Sequence, residues 1–152
     1  MKSFFTFLIL CFVAVGVQAQ TNNSAYDKAL ADSLGADDYG MKQYILVILK
    51  TGPNTSTDKA QINKAFQGHM ENIGKLVEQG KLIVAGPIGK NDKTYRGIFI
   101  LNAKTKEEAR AILATDPAVK AEFLDADLYD WYGSAALPMY LPIHNKLEKK
   151  KI

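Results

Sequence analysis

Cysteine is almost missing from these 152 residues; the one present, Cys11, lies inside the apolar run that opens the chain. Beyond that run there is no thiol. Disulfides, thiolate metal ligands and a cysteine nucleophile are therefore excluded for the rest of the chain. Histidine is scarce too. His69 and His144 stand far apart, without the spacing of a zinc site, so no metal is expected. There is no glycine-rich phosphate loop of the P-loop or Rossmann form and no Gly-x-Ser-x-Gly elbow, which removes the usual signs of nucleotide binding and of serine hydrolysis. Charge of one sign is also lacking. The formal net charge is only +3, and lysines alternate with Asp and Glu except for a run at the very end. That pattern offers no basic face for nucleic acid, and the final run reads as solvated charge.

The first residues form a different kind of segment. Lys2 precedes an apolar run from Phe4 to Val17, Val17-Gln18-Ala19 closes it with a small residue, and Gln20-Thr21-Asn22-Asn23 is polar. This predicts a signal peptide over 1–19 with cleavage after Ala19. The run is shorter than the roughly 20 residues that span a bilayer. Leu10 stands before Cys11 where a lipoprotein needs a small residue. The chain is thus expected to be exported, periplasmic or secreted, with no membrane contact after cleavage.

The remainder divides by hydrophobic period. Residues 20–40 are a polar leader in which Tyr26, Leu30 and Leu34, spaced by four, predict a short amphipathic helix packed loosely on the domain. A domain over 41–133 starts with Tyr44 to Leu49, a continuous apolar run of strand length. A long helix from Thr57 to Gln79 follows, opened by Asp58 with Gln61 and closed by Gly80. Its stripe runs through Ile62, Phe66, Ile73, Leu76 and Val77. Lys81 to Ala85 and Tyr95 to Ala103 predict the second and third strands. Thr105-x-x-Glu108 opens a second helix, and Asp116-Pro117 opens one more turn. Phe123 to Tyr132 predicts the last strand, with Phe123, Asp125, Asp127, Tyr129 and Trp131 on one face. Residues 134–152 are a tail expected to pack on the domain or on a partner.

The order β-α-β-β-α-β is the ferredoxin-like α+β arrangement. Two helices cover one face of a four-stranded sheet, yet several strands are apolar on both faces. The open face is therefore expected to pair with the same face of a second copy, giving a homodimer of the dimeric α+β barrel kind.

His69 is the most informative side chain. It falls in the apolar stripe between Phe66 and Ile73. An imidazole there is either a core histidine satisfied by backbone or water, or a general acid/base near neutrality. Gly68 and Gly74 flank it at a cost of about 1 kcal/mol each relative to alanine, which would leave space beside the ring. Asp116 caps the turn at Pro117 and lies on a loop that can approach the long helix. Asp125 and Asp127 read as a solvated face or as an acid pair in the dimer cavity. Arg96 can meet an anionic ligand, and Trp131 can hold an apolar ring.

Taken in order, His69, Gly80, Ala85-Gly86-Pro87, Gly97, Glu108-Ala109 and Asp116-Pro117 resemble the pattern of the YCII-related domain family of small dimeric α+β barrel proteins, over roughly Met41 to Tyr132. The resemblance implies that His69 and Asp116 form an active-site pair. It also implies kinship with dehydrochlorinases and muconolactone-isomerase-like enzymes acting on ring compounds. Two departures bear on the pocket: Ala118 stands where an aromatic residue commonly follows the Asp-Pro, and Ala121-Glu122 stands where Ala-Gly is usual. The expected activity is a cofactor-independent lyase or isomerase acting on an unknown small molecule, with Arg96 and Trp131 binding it. The alternatives are a non-catalytic exported binding protein and a structural dimer without a site.

Overall fold

A computed structural model of the chain describes residues 23–149. The predicted signal peptide and Cys11 lie outside the described residues, as do Lys150 to Ile152. Residues of the leader form α1 (Lys28–Leu34), capped by the Asp27 side chain and ended by Gly35 at φ 70°. No residue of α1 is buried.

The branched, apolar run predicted as the first strand extends to β1 (Met41–Thr51). It is followed by α2 (Lys59–Glu78), β2 (Leu82–Pro87), β3 (Tyr95–Leu101), α3 (Lys106–Leu113), the single turn α4 (Pro117–Lys120) and β4 (Leu124–Ser134). The sheet order is β2-β3-β1-β4, and all three pairings are antiparallel. The architecture is therefore α+β, ferredoxin-like. β1 lies at the centre because its alternate residues are apolar on both faces, a pattern only an inner strand can bury.

Local chemistry sets the helix ends. Asp58 accepts from the amides of Ala60 and Gln61 at the start of α2. At its end Gly80 takes φ 66°, so that Gly80 N bonds Val77 O and Lys81 N bonds Leu76 O, a Schellman closure that favours glycine. Thr105 accepts from Glu108 N at the start of α3, while Glu108 reaches back to Lys104 N.

The main core lies between helices and sheet. It joins Ile45, Val47 and Leu49 of β1 to Phe99 and Leu101 of β3, Leu76 of α2, and Ile112 and Leu113 of α3. The opposite face carries a smaller cluster of Tyr44, Ile83 and Ile100, with Leu46, Val84, Trp131 and Leu137 against it. Leu137 belongs to the tail, which forms a 3₁₀ turn (Leu137–Tyr140) and α5 (Leu141–His144). The Tyr140 hydroxyl donates to Ile83 O. The tail thus covers part of the face left open by the helices.

Phe123 departs from the strand reading. It precedes β4 and packs in the helix-side core, 6.3 Å from the Phe66 ring, rather than sharing a face with Asp125 and Trp131. The cause is the turn before it: Glu122 adopts φ 59°, the left-handed conformation that glycine favours. The turn is held by Gly52 N to Phe123 O, Asn54 N to Glu122 O and Asn54 Nδ2 to Ala121 O. A Cβ on Gly52 would lie 2.0 Å from the Glu122 carbonyl oxygen, so only glycine fits there.

Candidate functional site

The inner line of α2 is Ala65, His69, Asn72 and Leu76, with Ile62, Phe66, Ile73 and Val77 as its flanks. The imidazole therefore faces the sheet. It stacks on Phe99 of β3 at 5.9 Å between ring centres and meets the edge of Phe66 at 6.1 Å. Packing against two rings fixes the imidazole plane without satisfying its nitrogens.

Asp116 supplies that partner. Its Oδ1 accepts from Ala118 N at 2.9 Å and Val119 N at 3.4 Å, because Asp116 is the N-cap of α4. Its Oδ2 lies 2.6 Å from His69 Nδ1. One carboxylate thus ends a helix and orients an imidazole. Asp116 is 1 % exposed, so water competes little for this contact. A neutral imidazole that donates from Nδ1 to this carboxylate carries its free lone pair on Nε2, the tautomer a general base needs. Nε2 has no hydrogen-bond partner among the described residues and is not one of the sealed polar atoms, and 11 % of the His69 side chain reaches solvent.

Close approach of α4 to α2 makes this contact. A Cβ built on Gly68 would lie 2.7 Å from Pro117 Cγ, so the missing side chain of Gly68 is the space in which Pro117 sits. Gly74 does not do the same: nothing lies within 4 Å of its Cβ position, and it leaves no room beside the imidazole.

A second contact runs parallel, one turn along α2. Thr115 Oγ1 is 3.1 Å from Asn72 Oδ1 and 2.7 Å from Ile112 O. A hydroxyl has one proton, so it serves one of these acceptors at a time. Asn72 Nδ2 is sealed without a partner among the described residues. Sequence reasoning passed over Asn72 and Thr115. The signal was that Asn72 lies three residues after His69 on the same stripe.

Two grooves open beside these pairs. One of about 500 Å³ lies between α2 and α4 and includes Gly68, Glu71, Pro117 and Ala121. The other, about 350 Å³, lies between α2 and α3 and includes Asn72, Lys75, Glu108 and Thr115. Residues adjoining His69 and Asp116 line the first groove, while the two side chains themselves face inward between it and the sheet.

Arg96 and Trp131 are not brought to His69. Trp131 pairs with Tyr44 across β1 and β4, its ring 5.7 Å from the Tyr44 ring, in the cluster on the far face of the sheet. Arg96 is exposed on β3, and alternation from Phe99 places it on that far face as well. The expectation that these two share one cavity with His69 is thus corrected within a single chain. The reason is the period of two: a residue one step out of phase is a sheet thickness away. Trp131 also lies flat over Gly133, whose Cβ would fall 2.3 Å from the indole.

Asp125 and Asp127 do not form an isolated acid pair. Lys50 Nζ sits 2.7 Å from Asp127 Oδ1 and 3.4 Å from Asp125 Oδ2, and the bond to Asp127 leads the effects that push the lysine up from its ordinary value. His144 bonds Glu148 in the tail. Among the described residues, no three His, Cys, Asp or Glu side chains come together as a metal cluster.

The model of the YCII-related domain matches residues 43–131, more than half of the chain, from Gln43 within β1 to Trp131 within β4. No curated protein matches. Among solved structures, 5-chloro-2-hydroxyhydroquinone dehydrochlorinase (TftG) from Burkholderia phenoliruptrix AC1100, in complex with 2,5-dihydroxybenzoquinone, is similar. It is 21 % identical over 57 % of this chain and 92 % of its own, at a TM-score of 0.40, too low to bear on activity. The family match spans both His69 and Asp116, and the chain belongs to the YCII-related domain family.

Proposed function

We propose that the protein is a cofactor-independent enzyme that moves a proton on a small organic molecule, in a lyase or isomerase reaction. His69 Nε2 takes a proton from carbon, and the electron pair released forms a double bond as a leaving group departs, or forms it while a neighbouring double bond of the substrate gives up its pair to take the proton back at a second carbon. Asp116 holds the imidazole in the required tautomer and offsets its charge once protonated. The observation that carries this reading is the buried 2.6 Å contact between His69 Nδ1 and a carboxylate already fixed by two backbone amides. A structural histidine needs only a backbone carbonyl or a water, and this geometry goes further than that.

The guest is proposed to enter from the groove flanked by Gly68 and Pro117. Export, from the 1–19 leader, and homodimer formation through the part of the sheet not covered by the tail are proposed with it. The test uses hydroxylated and chlorinated benzoquinols as probes. Nitrogen-detected NMR follows His69 and absorbance follows turnover. Turnover by the parent that is lost in His69→Ala, with probe binding kept, supports the enzyme. Binding without turnover in the parent favours a non-catalytic binder. No perturbation of the His69 signals by any probe would sink both.

A further inference from the structure

The tail raises a question separate from the His69 site. From Leu137 the chain coils through the 3₁₀ turn and α5, and Asn145 N to Leu141 O, Lys146 N to Ile143 O and Leu147 N to His144 O continue the coil. Its inward side is used by the domain: Leu137 packs on the Tyr44–Ile83–Ile100 cluster and Tyr140 bonds Ile83 O. Its outward side is also apolar. Met139, Ile143 and Leu147, spaced by four along the coil, are 51 %, 60 % and 75 % exposed. A helical segment that is apolar on both sides is normally covered on both.

Lysines stand at the end of this outward row in the sequence. Lys146 and Lys149 follow α5, and Lys150 and Lys151 come next in the sequence. Glu148, the one acid from Leu137 onward, lies 3.2 Å from His144 and can offset only one of the four lysines of the tail. What covers the row must accept both apolar side chains and positive charge. A second tail would bring like charges together. A nucleic acid would meet the lysines but offer nothing to isoleucine and leucine. An anionic bilayer surface accepts both.

We infer that the tail is a peripheral membrane-docking element, with Met139, Ile143 and Leu147 entering an anionic lipid surface and the following lysines meeting its headgroups. The contact lies on the membrane and does not cross it: no helix among the described residues is long and apolar enough to span. Read alone, the lysine run is only solvated charge and predicts no membrane contact; the row exposed beside it changes that reading.

Co-sedimentation with vesicles tests this, using protein beginning at Gln20, which carries every described element. Binding is expected to vesicles of phosphatidylcholine with phosphatidylglycerol and to be absent with phosphatidylcholine alone. Lys149→Gln, Lys150→Gln and Lys151→Gln together should weaken it about a hundred-fold, at roughly five-fold per lysine. Ile143→Asp with Leu147→Asp should abolish it, and circular dichroism should show both variants folded, since all these positions lie on the surface. Equal binding to neutral and anionic vesicles, no binding to either, or full binding by both variants overturns the inference. So does a lipid-free dimer, seen by sedimentation velocity, that dissociates in the Ile143→Asp, Leu147→Asp variant.

Discussion

Replacing Gly68 by alanine pits two effects of known size against each other. Alanine in a helix interior is worth about 1 kcal/mol over glycine, which favours the variant. The new methyl would sit 2.7 Å from Pro117 Cγ and 3.1 Å from Pro117 Cβ. Carbon pairs rest at about 3.5–4.0 Å, so α4 must retreat by roughly 1 Å. Pro117 is bonded to Asp116, and the carboxylate moves with it. A 2.6 Å hydrogen bond lengthened by that amount is lost. Overpacking costs about 1–3 kcal/mol, and the buried charge-assisted bond about 1.5–3 kcal/mol. The clash therefore wins, and Gly68→Ala should destabilise the fold by about 1.5–5 kcal/mol net. Gly74 on the same helix is the control. With nothing within 4 Å of its Cβ position, Gly74→Ala should gain about 1 kcal/mol. Urea unfolding of both variants measures the difference, and the His69 Nδ1 proton resonance reports whether the Asp116 contact survives. If Gly68→Ala gains as much as Gly74→Ala with an unchanged His69 signal, then Pro117 does not set the His69–Asp116 distance and the argument fails.

Asp116→Asn should keep the cap of α4, since asparagine is as good an N-cap, but place an amide opposite Nδ1. We expect a loss of about 1–3 kcal/mol in urea unfolding and a shift of the neutral His69 toward the other tautomer, read from its nitrogen chemical shifts; an unchanged tautomer would show that the carboxylate does not set it. Tyr132 donates to Asp37, which pushes the phenol up to about 12 and holds the carboxylate below its ordinary value. The phenol's contribution to stability is present below pH 10 and lost as pH rises toward about 12, whereas that of Asp37 is present above its ordinary value of 3.8 and lost as pH falls below it. Absorbance titration should find one tyrosine ionising near 12, and Asp37→Asn should bring it down; a titration unchanged in that variant refutes the pairing. Glu122→Gly should relieve a left-handed residue worth about 1–2 kcal/mol, offset by the chain entropy of glycine, for a net gain of about 0.5–1 kcal/mol in urea unfolding. A loss instead would mean that the Glu122 side chain holds the turn.

The ferredoxin-like order was legible because each element announces itself locally. β1 is a continuous apolar run, α2 repeats at three and four residues between an Asp cap and a glycine stop, and Asp116-Pro117 starts a turn wherever it lies. The place of Phe123 was not legible, because the left-handed turn at Glu122 breaks the strand period without a glycine to mark it. Nor was the separation of Trp131 from His69, because both lie in apolar patterns and only the pairing of β1 with β4 tells which face each serves.

By itself, the sequence determined which side chains are available for chemistry: a single imidazole in an apolar stripe, no thiol in the domain, and an aspartate committed to a helix start. These follow from composition and from periods of two and 3.6, which act within a few residues. Only the tertiary structure decided that the imidazole and the aspartate meet across 47 positions of sequence, that Asn72 and Thr115 repeat the contact one turn away, and that the tail turns an apolar row outward. Such contacts depend on how closely α4 can approach α2. That distance is set by the missing side chain of one glycine against one proline ring, and no local pattern encodes it.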